Sequence, residues 1–186
     1  MHDAVVLIFA GPLGQELSRK GIARQHARLF SLPKLDGVAA DVVVSGGKGA
    51  TFTERLVSAI AEVSHYRRIV IIGRDCPTRT ADDVNAALTA LRHHDTVLGP
   101  DGRGGCWLIG LRREVLEVVD GVRWCRGEDF AELASRALSL KVLAVKGDID
   151  TSADLPQEAP TVLPVLPHIP ALFVADQWAL PPPALR

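Results

Sequence analysis

The chain has 186 residues, a formal net charge of −1, 47% hydrophobic residues and 23% charged residues. That length suits one domain with a sizeable core, and the near-neutral balance gives no electrostatic reason to expect nucleic acid or an anionic membrane as partner. No apolar run reaches the ~20 residues of a membrane span, and the N-terminus lacks the basic and apolar regions of a secretory signal, so cytoplasmic residence is expected.

Ala4 to Ala10 is a continuous apolar run and reads as a buried first strand. Gly11-Pro12-Leu13-Gly14 breaks it, and a polar, Arg-rich helix is expected to about Phe30. A glycine-bearing loop after a first strand is a place where phosphate meets backbone amides and a helix N-terminus. The stretch lacks the Gly-Lys-Ser/Thr ending of a P-loop and is not a dinucleotide fingerprint, so a phosphate loop and a plain strand-to-helix turn both stay open. Asp41 to Ser45 gives the next strand, followed by Gly46-Gly47-Lys48-Gly49, which is either a phosphate cradle or a surface loop. Thr51 and Glu54 have capping-box spacing, and Phe52, Leu56, Val57 and Ile60 form an apolar stripe on the helix that follows. Arg55 lies off that stripe, in reach of an anionic ligand or of solvent.

Ile69-Val70-Ile71-Ile72 is a run of β-branched residues suited to a strand buried on both faces. It ends at Gly73, and Asp75 stands just beyond it. Ligands of open α/β sheets bind outside the carboxyl ends of the strands, which places Asp75 either at a site or in a loop cap. Thr80 to Asp83 is a second capping box, opening a helix from Ala81 to Leu91 that buries Val84, Ala87, Leu88 and Leu91. His93-His94-Asp95 resembles a metal triplet, but adjacent residues on an extended chain face opposite ways, so a solvated loop is expected. Thr96 to Pro100 is a short strand, Asp101-Gly102-Arg103-Gly104-Gly105 a tight turn, and Cys106 to Leu111 a returning strand. A short helix around Leu116 to Val119, a helix from about Glu128 to Leu138, and a last strand from Lys141 to Val145 complete the alternation. That strand runs into Asp148 and Asp150, with a further capping box beyond.

Strands alternating with helices argue a layered α/β fold with a mostly parallel sheet and right-handed crossovers. Eight of the twelve prolines fall in residues 156–186, a density that excludes a regular helix or central strand. The apolar residues between them argue against a freely solvated tail. The expected organisation is a domain over 1–155 and a proline-rich arm over 156–186, packed on the body or on a second subunit of a homodimer.

Acidic residues at two strand ends, Asp75 and Asp148/Asp150, suit a divalent cation with oxygen ligands, Mg2+ or Mn2+, that neutralises a diphosphate leaving group. Cys76, Cys106 and Cys125 are an odd and widely spaced set, unlike a disulfide framework. A shared thiolate site and three inert thiols are both open.

Four blocks carry a family likeness. Arg68-Ile-Val-Ile-Ile-Gly-Arg-Asp-Cys-Pro77 is similar to a strand ending in Gly-Ser-Asp-Cys-Pro. His94 to Pro100 with Gly104-Gly-Cys-Trp-Leu-Ile-Gly-Leu111 is similar to a paired Gly-Pro and Asp-Gly-Gly-Tyr-Tyr-Leu-Ile-Gly-Leu segment. Val122-Arg-Trp124 resembles Ile-Pro-Trp, and Asp148-Ile-Asp-Thr-Ser-Ala-Asp-Leu155 resembles Asp-Val-Asp-Thr-Pro-Glu-Asp-Leu. A weaker match places Phe52 to Leu56 on Leu-Gly-Glu-Arg-Leu. Over residues 4–155 the chain thus resembles the bacterial glycosyltransferase-like proteins associated with radical-SAM and selenocysteine-linked loci. These form a domain-of-unknown-function family within the nucleotide-diphospho-sugar transferase (GT-A) superfamily.

The resemblance implies a three-layer α/β/α GT-A-like fold and transfer of a group from a nucleotide-activated donor with a divalent metal. It implies a nucleotide or sugar nucleotide as small-molecule partner, Asp75 as metal ligand with Asp148 and Asp150 beside it, and a nucleotide held near Gly11, Arg19, Lys20, Arg55 and Arg74. Asp101, Arg103, Gly104, Gly105, Trp107 and Trp124 would shape the substrate pocket. The chain departs from the family where a basic Lys-Thr-Arg-Leu loop is replaced by Gly11 to Lys20, and where Arg103 replaces the aspartate of Asp-Gly-Gly. Two alternatives therefore stand beside glycosyl transfer: a degenerate binding or assembly module, and nucleotidyl transfer to a small phosphorylated acceptor. No residue stands out as a general base.

Overall fold

The computed structural model describes residues 2–156. The expected proline-rich arm, with the packing or homodimer contact expected of it, lies outside the described residues apart from Pro156. Six strands form one sheet in the order β2-β1-β3-β5-β4-β6, with β1 over Ala4–Phe9, β2 over Asp41–Ser45, β3 over Arg68–Ile72, β4 over Thr96–Pro100, β5 over Cys106–Arg112 and β6 over Leu140–Val142. The helices are α1 (Leu13–Arg19), α2 (Phe52–Glu62), α3 (Ala81–Ala90) and α4 (Asp129–Arg136).

The sheet is mixed, which corrects the mostly parallel sheet expected from the alternation. β5 runs antiparallel to both β3 and β4. The cause is local: the turn at Asp101–Gly105 is too short for a crossover, so β4 folds back on itself as a hairpin. The returning strand then inserts between β4 and β3.

Alternate residues of the central strands feed two separate cores. Val5, Leu7, Ile69, Ile71, Ile109 and Leu111 pack under α2 and α4, against Leu56, Ile60 and Leu133. Val6, Ile8, Val70, Ile72 and Leu108 pack under α3, against Val84, Ala87, Leu88 and Leu91. This is a helix layer on each face of the sheet. The four residues Ile69 to Ile72 are at most 5% exposed, and each such side chain contributes about 1.5–3 kcal/mol by burial. That anchors the strand whose end carries Asp75.

The first connection differs from expectation. The long helix to Phe30 is two pieces, α1 and a 3-10 segment over Arg24–Phe30, separated at Gly21, which has φ 65°. The break lets Leu17, Ile22 and Phe30 fold together over Ile149. Lys20, at the end of α1, is thereby turned inward. Residues Arg113–Val119 are also a 3-10 segment, and the last strand stops at Val142 instead of Val145.

Candidate active site

β1, β3, β4 and β6 point the same way, so the loops that follow them open on one edge of the sheet. With the start of α4 they enclose a cleft of about 630 Å³. Asp75 lines it from the end of β3. Gly73 has no Cβ because one would lie 2.4 Å from Asp75 Oδ1, so glycine lets the carboxylate fold back over the strand end. The Ile149 amide donates to Asp75 O at 2.8 Å, pinning the 148–150 segment beside it. Asp154 accepts from the amides of Asp150 and Thr151, which fixes the far end of that segment as a capping box.

Asp75, Asp148 and Asp150 converge as the sequence suggested, each offering an oxygen within 4.8 Å of the others. Two cations of the chain already hold them. Lys20 Nζ donates to Asp75 Oδ2 and Asp150 Oδ1, both at 2.9 Å, and to Ile149 O at 2.5 Å. Its side chain is 3% exposed. Burial works against its charge, but Asp75 and Asp150 outweigh burial and raise its pKa. On the other side Arg103 Nη2 donates to Asp148 Oδ1 at 2.5 Å and to Asp150 Oδ2 at 2.9 Å, while Nη1 donates to Asp154 Oδ1 at 2.7 Å. Burial, with the charges of Asp150 and Asp75, lifts Asp148 to about 6 despite the bond from Arg103.

The donor set has the oxygen chemistry that Mg2+ or Mn2+ requires. As folded, however, every carboxylate of the three carries an N–H donor, and Lys20 has no hydrogen left to give. The arrangement does not fit a resident divalent cation.

The rest of the cleft carries two arginines, the carboxylates of Glu16, Asp101 and Asp129, and an aromatic wall. Arg19 and Arg55 line it and make no ion pair among the described residues. Gly11 lines the cleft beside Arg55, whose Nη1 would lie 3.8 Å from a Cβ at that position. Arg55 Cζ sits 5.9 Å from the centroid of Phe9. Phe9, Phe52 and Trp124 form a wall with centroids 5.5 and 5.8 Å apart. Among the described residues, Trp124 Nε1 and Asp129 Oδ1 are buried there without a hydrogen-bond partner. Burial raises the Asp129 pKa.

Other expected site residues fall where they shape the cleft from behind. Asp101 lines it but mainly caps its turn, Oδ1 accepting from the amides of Arg103 and Gly105. Trp107 is 3% exposed and donates from Nε1 to Ala144 O. Gly104 is not in the lining: at φ 96° its missing Cβ would lie 1.9 Å from Gly127 O, so it locks the turn to the start of α4. Arg74 is also outside the lining, paired with Glu16 at 3.4 Å without hydrogen-bond alignment. Cys106 and Cys125 reach the cleft, whereas Cys76 does not. Sequence reasoning did not single out Phe9, Glu16 or Asp129 as site residues. Phe9 and Glu16 flank the first loop and were open to that suspicion, but Asp129 lies in a stretch with no motif.

Residues 4–126 match the family DUF2064, described as an uncharacterized protein conserved in bacteria. The chain belongs to this family. Within DUF2064, the matched residues include β1, β3 and the β4–β5 hairpin and end just after Trp124. A 3-phospho-D-glycerate guanylyltransferase from Phenylobacterium zucineum is 35% identical over 105 residues, which are 55% of this chain and 47% of that protein. The chain thus spans about half the length of this relative. A solved structure of a proposed nucleotide-diphospho-sugar transferase from Desulfovibrio desulfuricans superposes with a TM-score of 0.67 at 24% identity, covering 81% of this chain and 84% of that one. The fold is therefore that of the nucleotide-diphospho-sugar transferases. No helix among the described residues is long and apolar enough to cross a membrane.

Proposed function

We propose that this chain transfers a nucleotidyl group from a nucleoside triphosphate to a small phosphorylated acceptor. The supporting observation is the cleft itself, in which Arg19 and Arg55 stand without ion-pair partners among the described residues, beside an aromatic wall. The 35% identity to a guanylyltransferase favours nucleotidyl over glycosyl chemistry. Arg19, Arg55 and the Gly11 turn bind the triphosphate as charge-assisted donors. Phe52 and Trp124 offer a face for the base.

An oxygen of the acceptor phosphate attacks the α-phosphorus. A P–O bond forms there while the bond from the α-phosphorus to the bridging oxygen breaks, and pyrophosphate leaves with the electron pair. The work asked of the protein is alignment of the two reactants and neutralisation of the leaving group. A phosphate nucleophile is already ionised at neutral pH, so the reaction needs no general base. That suits a cleft whose sequence offered none.

Sugar transfer from a nucleotide sugar, implied by the family resemblance, would use the same cleft but release a nucleoside diphosphate. A degenerate binding module would release neither. The test is to incubate the chain with each nucleoside triphosphate and 3-phospho-D-glycerate or related phosphorylated acids, with and without Mg2+. Pyrophosphate and a nucleoside-diphosphate-linked product, followed by phosphorus NMR, are expected. The proposal fails if no triphosphate releases pyrophosphate and none raises the melting temperature.

A further inference from the structure

The acid cluster at the strand ends is crowded with cations that belong to the chain. All three N–H bonds of Lys20 are directed to Asp75 Oδ2, Asp150 Oδ1 and Ile149 O. Arg103 covers the opposite side, with Asp148, Asp150 and Asp154 as acceptors. Asp150 is held from both sides, one oxygen on each cation. A divalent ion coordinated by Asp75, Asp148 and Asp150 would have to take oxygens from both partners and then sit within a few ångströms of an ammonium and a guanidinium. Lys20 cannot swing away cheaply, because it is buried over the Phe30 ring with its Nζ 6.0 Å from the centroid.

We propose that Lys20 and Arg103 are the resident counter-cations of the Asp75–Asp148–Asp150 cluster, standing in for the divalent ion such a cluster would otherwise recruit. The protein then takes up neither Mg2+ nor Mn2+ at these carboxylates. Ligand phosphates are met by side-chain cations, with Arg19 and Arg55 the two in the cleft that no carboxylate holds among the described residues. The part concerning phosphates rests on the proposed nucleotide reading, and the part concerning the cation does not.

The experiment titrates the full chain with Mn2+ alone and follows the free-ion signal by electron paramagnetic resonance, for the natural sequence, Lys20→Met and Arg103→Gln. No stoichiometric uptake is expected in the natural chain. A tightening of about tenfold or more is expected in each variant, since removing one like charge from beside a doubly charged ion lowers its binding free energy substantially. Adding Asp75→Asn to Lys20→Met should abolish the gain. Arg103 is the more exposed of the two cations, so Arg103→Gln decides the matter if Lys20→Met does not fold, as judged by circular dichroism. One Mn2+ per chain in the natural protein, lost on Asp75→Asn, would overturn the proposal, as would folded variants that gain nothing.

A second arm measures the thermal shift given by GTP and the other triphosphates with EDTA and with Mn2+. Equal shifts are expected, and a shift that needs metal overturns the metal-free reading. If no triphosphate gives a shift, the proposed function falls while the Mn2+ comparison still decides the role of Lys20 and Arg103.

Discussion

Lys20 Nζ stands 2.9 Å from Asp75 Oδ2, tying the end of α1 to the loop after β3 across 55 positions of sequence. The contact is enclosed, with the lysine side chain 3% and the aspartate side chain 23% exposed. Lys20→Met leaves Asp75 and Asp150 facing each other without their shared cation. Breaking a buried pair from one side strands the other charge. Because Asp150 is half-exposed and can turn to water, the expected loss is about 2–3 kcal/mol rather than the larger cost of a fully buried pair. Urea unfolding checks it, and Lys20→Met with Asp75→Asn should recover part of the loss. A single variant as stable as the natural chain would mean the contact is screened.

Arg55 projects from the first turn of α2 into the cleft, above the Phe9 ring. Arg55→Ala removes one charge-assisted donor from the proposed triphosphate site and should weaken nucleotide binding about 10-fold to 100-fold. The fold should hold, since α2 keeps its capping box between Thr51 and Glu54 and its buried Leu56, Ala59 and Ile60. Calorimetric titration is the measurement. Unchanged affinity would place the phosphates elsewhere in the cleft.

The cysteines should differ sharply in reactivity. Burial, with the charges of Asp101 and Asp129 adding to it, pushes the Cys106 thiol up to about 12, and burial also raises Cys76. Neither supplies thiolate at pH 7.5. Cys125 is raised as well, by burial and by Asp129, but it is the exposed one of the three. Iodoacetamide at pH 7.5 should label Cys125 alone and slowly, with the rate climbing as pH rises toward 9.5. Peptide mass spectrometry reads this directly. Rapid labelling of Cys106 at neutral pH would contradict its enclosed, acid-flanked setting.

Local signals in the sequence proved dependable because their physics is local. Thr51/Glu54, Thr80/Asp83 and Thr151/Asp154 all form the capping boxes their spacing suggests, and the β-branched run at Ile69 lies buried in the sheet. The turn at Asp101–Gly105 was legible as a reversal. Its consequence, a strand inserted antiparallel beside β3, depends on which edge is free when the hairpin docks, and periodicity carries no such information. The sequence suggested the convergence of Asp75 with Asp148 and Asp150 from a strand running to Val145; with β6 ending at Val142, the bond from the Ile149 amide to Asp75 O holds it instead. The inward turn of Lys20 did not, because it depends on the helix breaking at Gly21 and on pairings 55 and 130 positions away. Asp129 was invisible for a related reason: it reaches the cleft only because Gly104 and Gly127 bring two turns into contact.

Asp83 links the α3 cap to the segment after β6. Its Oδ2 accepts from the Thr80 amide and hydroxyl and lies 2.9 Å from Lys146 Nζ, whose ammonium also reaches Thr78 O and stands 5.7 Å from the Trp107 ring. Burial pushes the Asp83 carboxyl up, but the bonds from Lys146 and Thr80 outweigh it and hold its pKa below the usual 3.8. A carboxyl whose pKa is lowered by folding contributes stability that is fully present above 3.8 and is lost as pH falls through the folded value. Asp83→Ala should therefore cost about 1–2 kcal/mol at pH 7, from a lost cap and a lost ion pair. The gap between variant and natural chain should narrow on acidification below 3.8. Melting temperatures compared at pH 7, 4 and 2.5 measure it. A gap that stays constant to pH 2.5 would mean the loss comes from packing of α3 and not from the Asp83 charge.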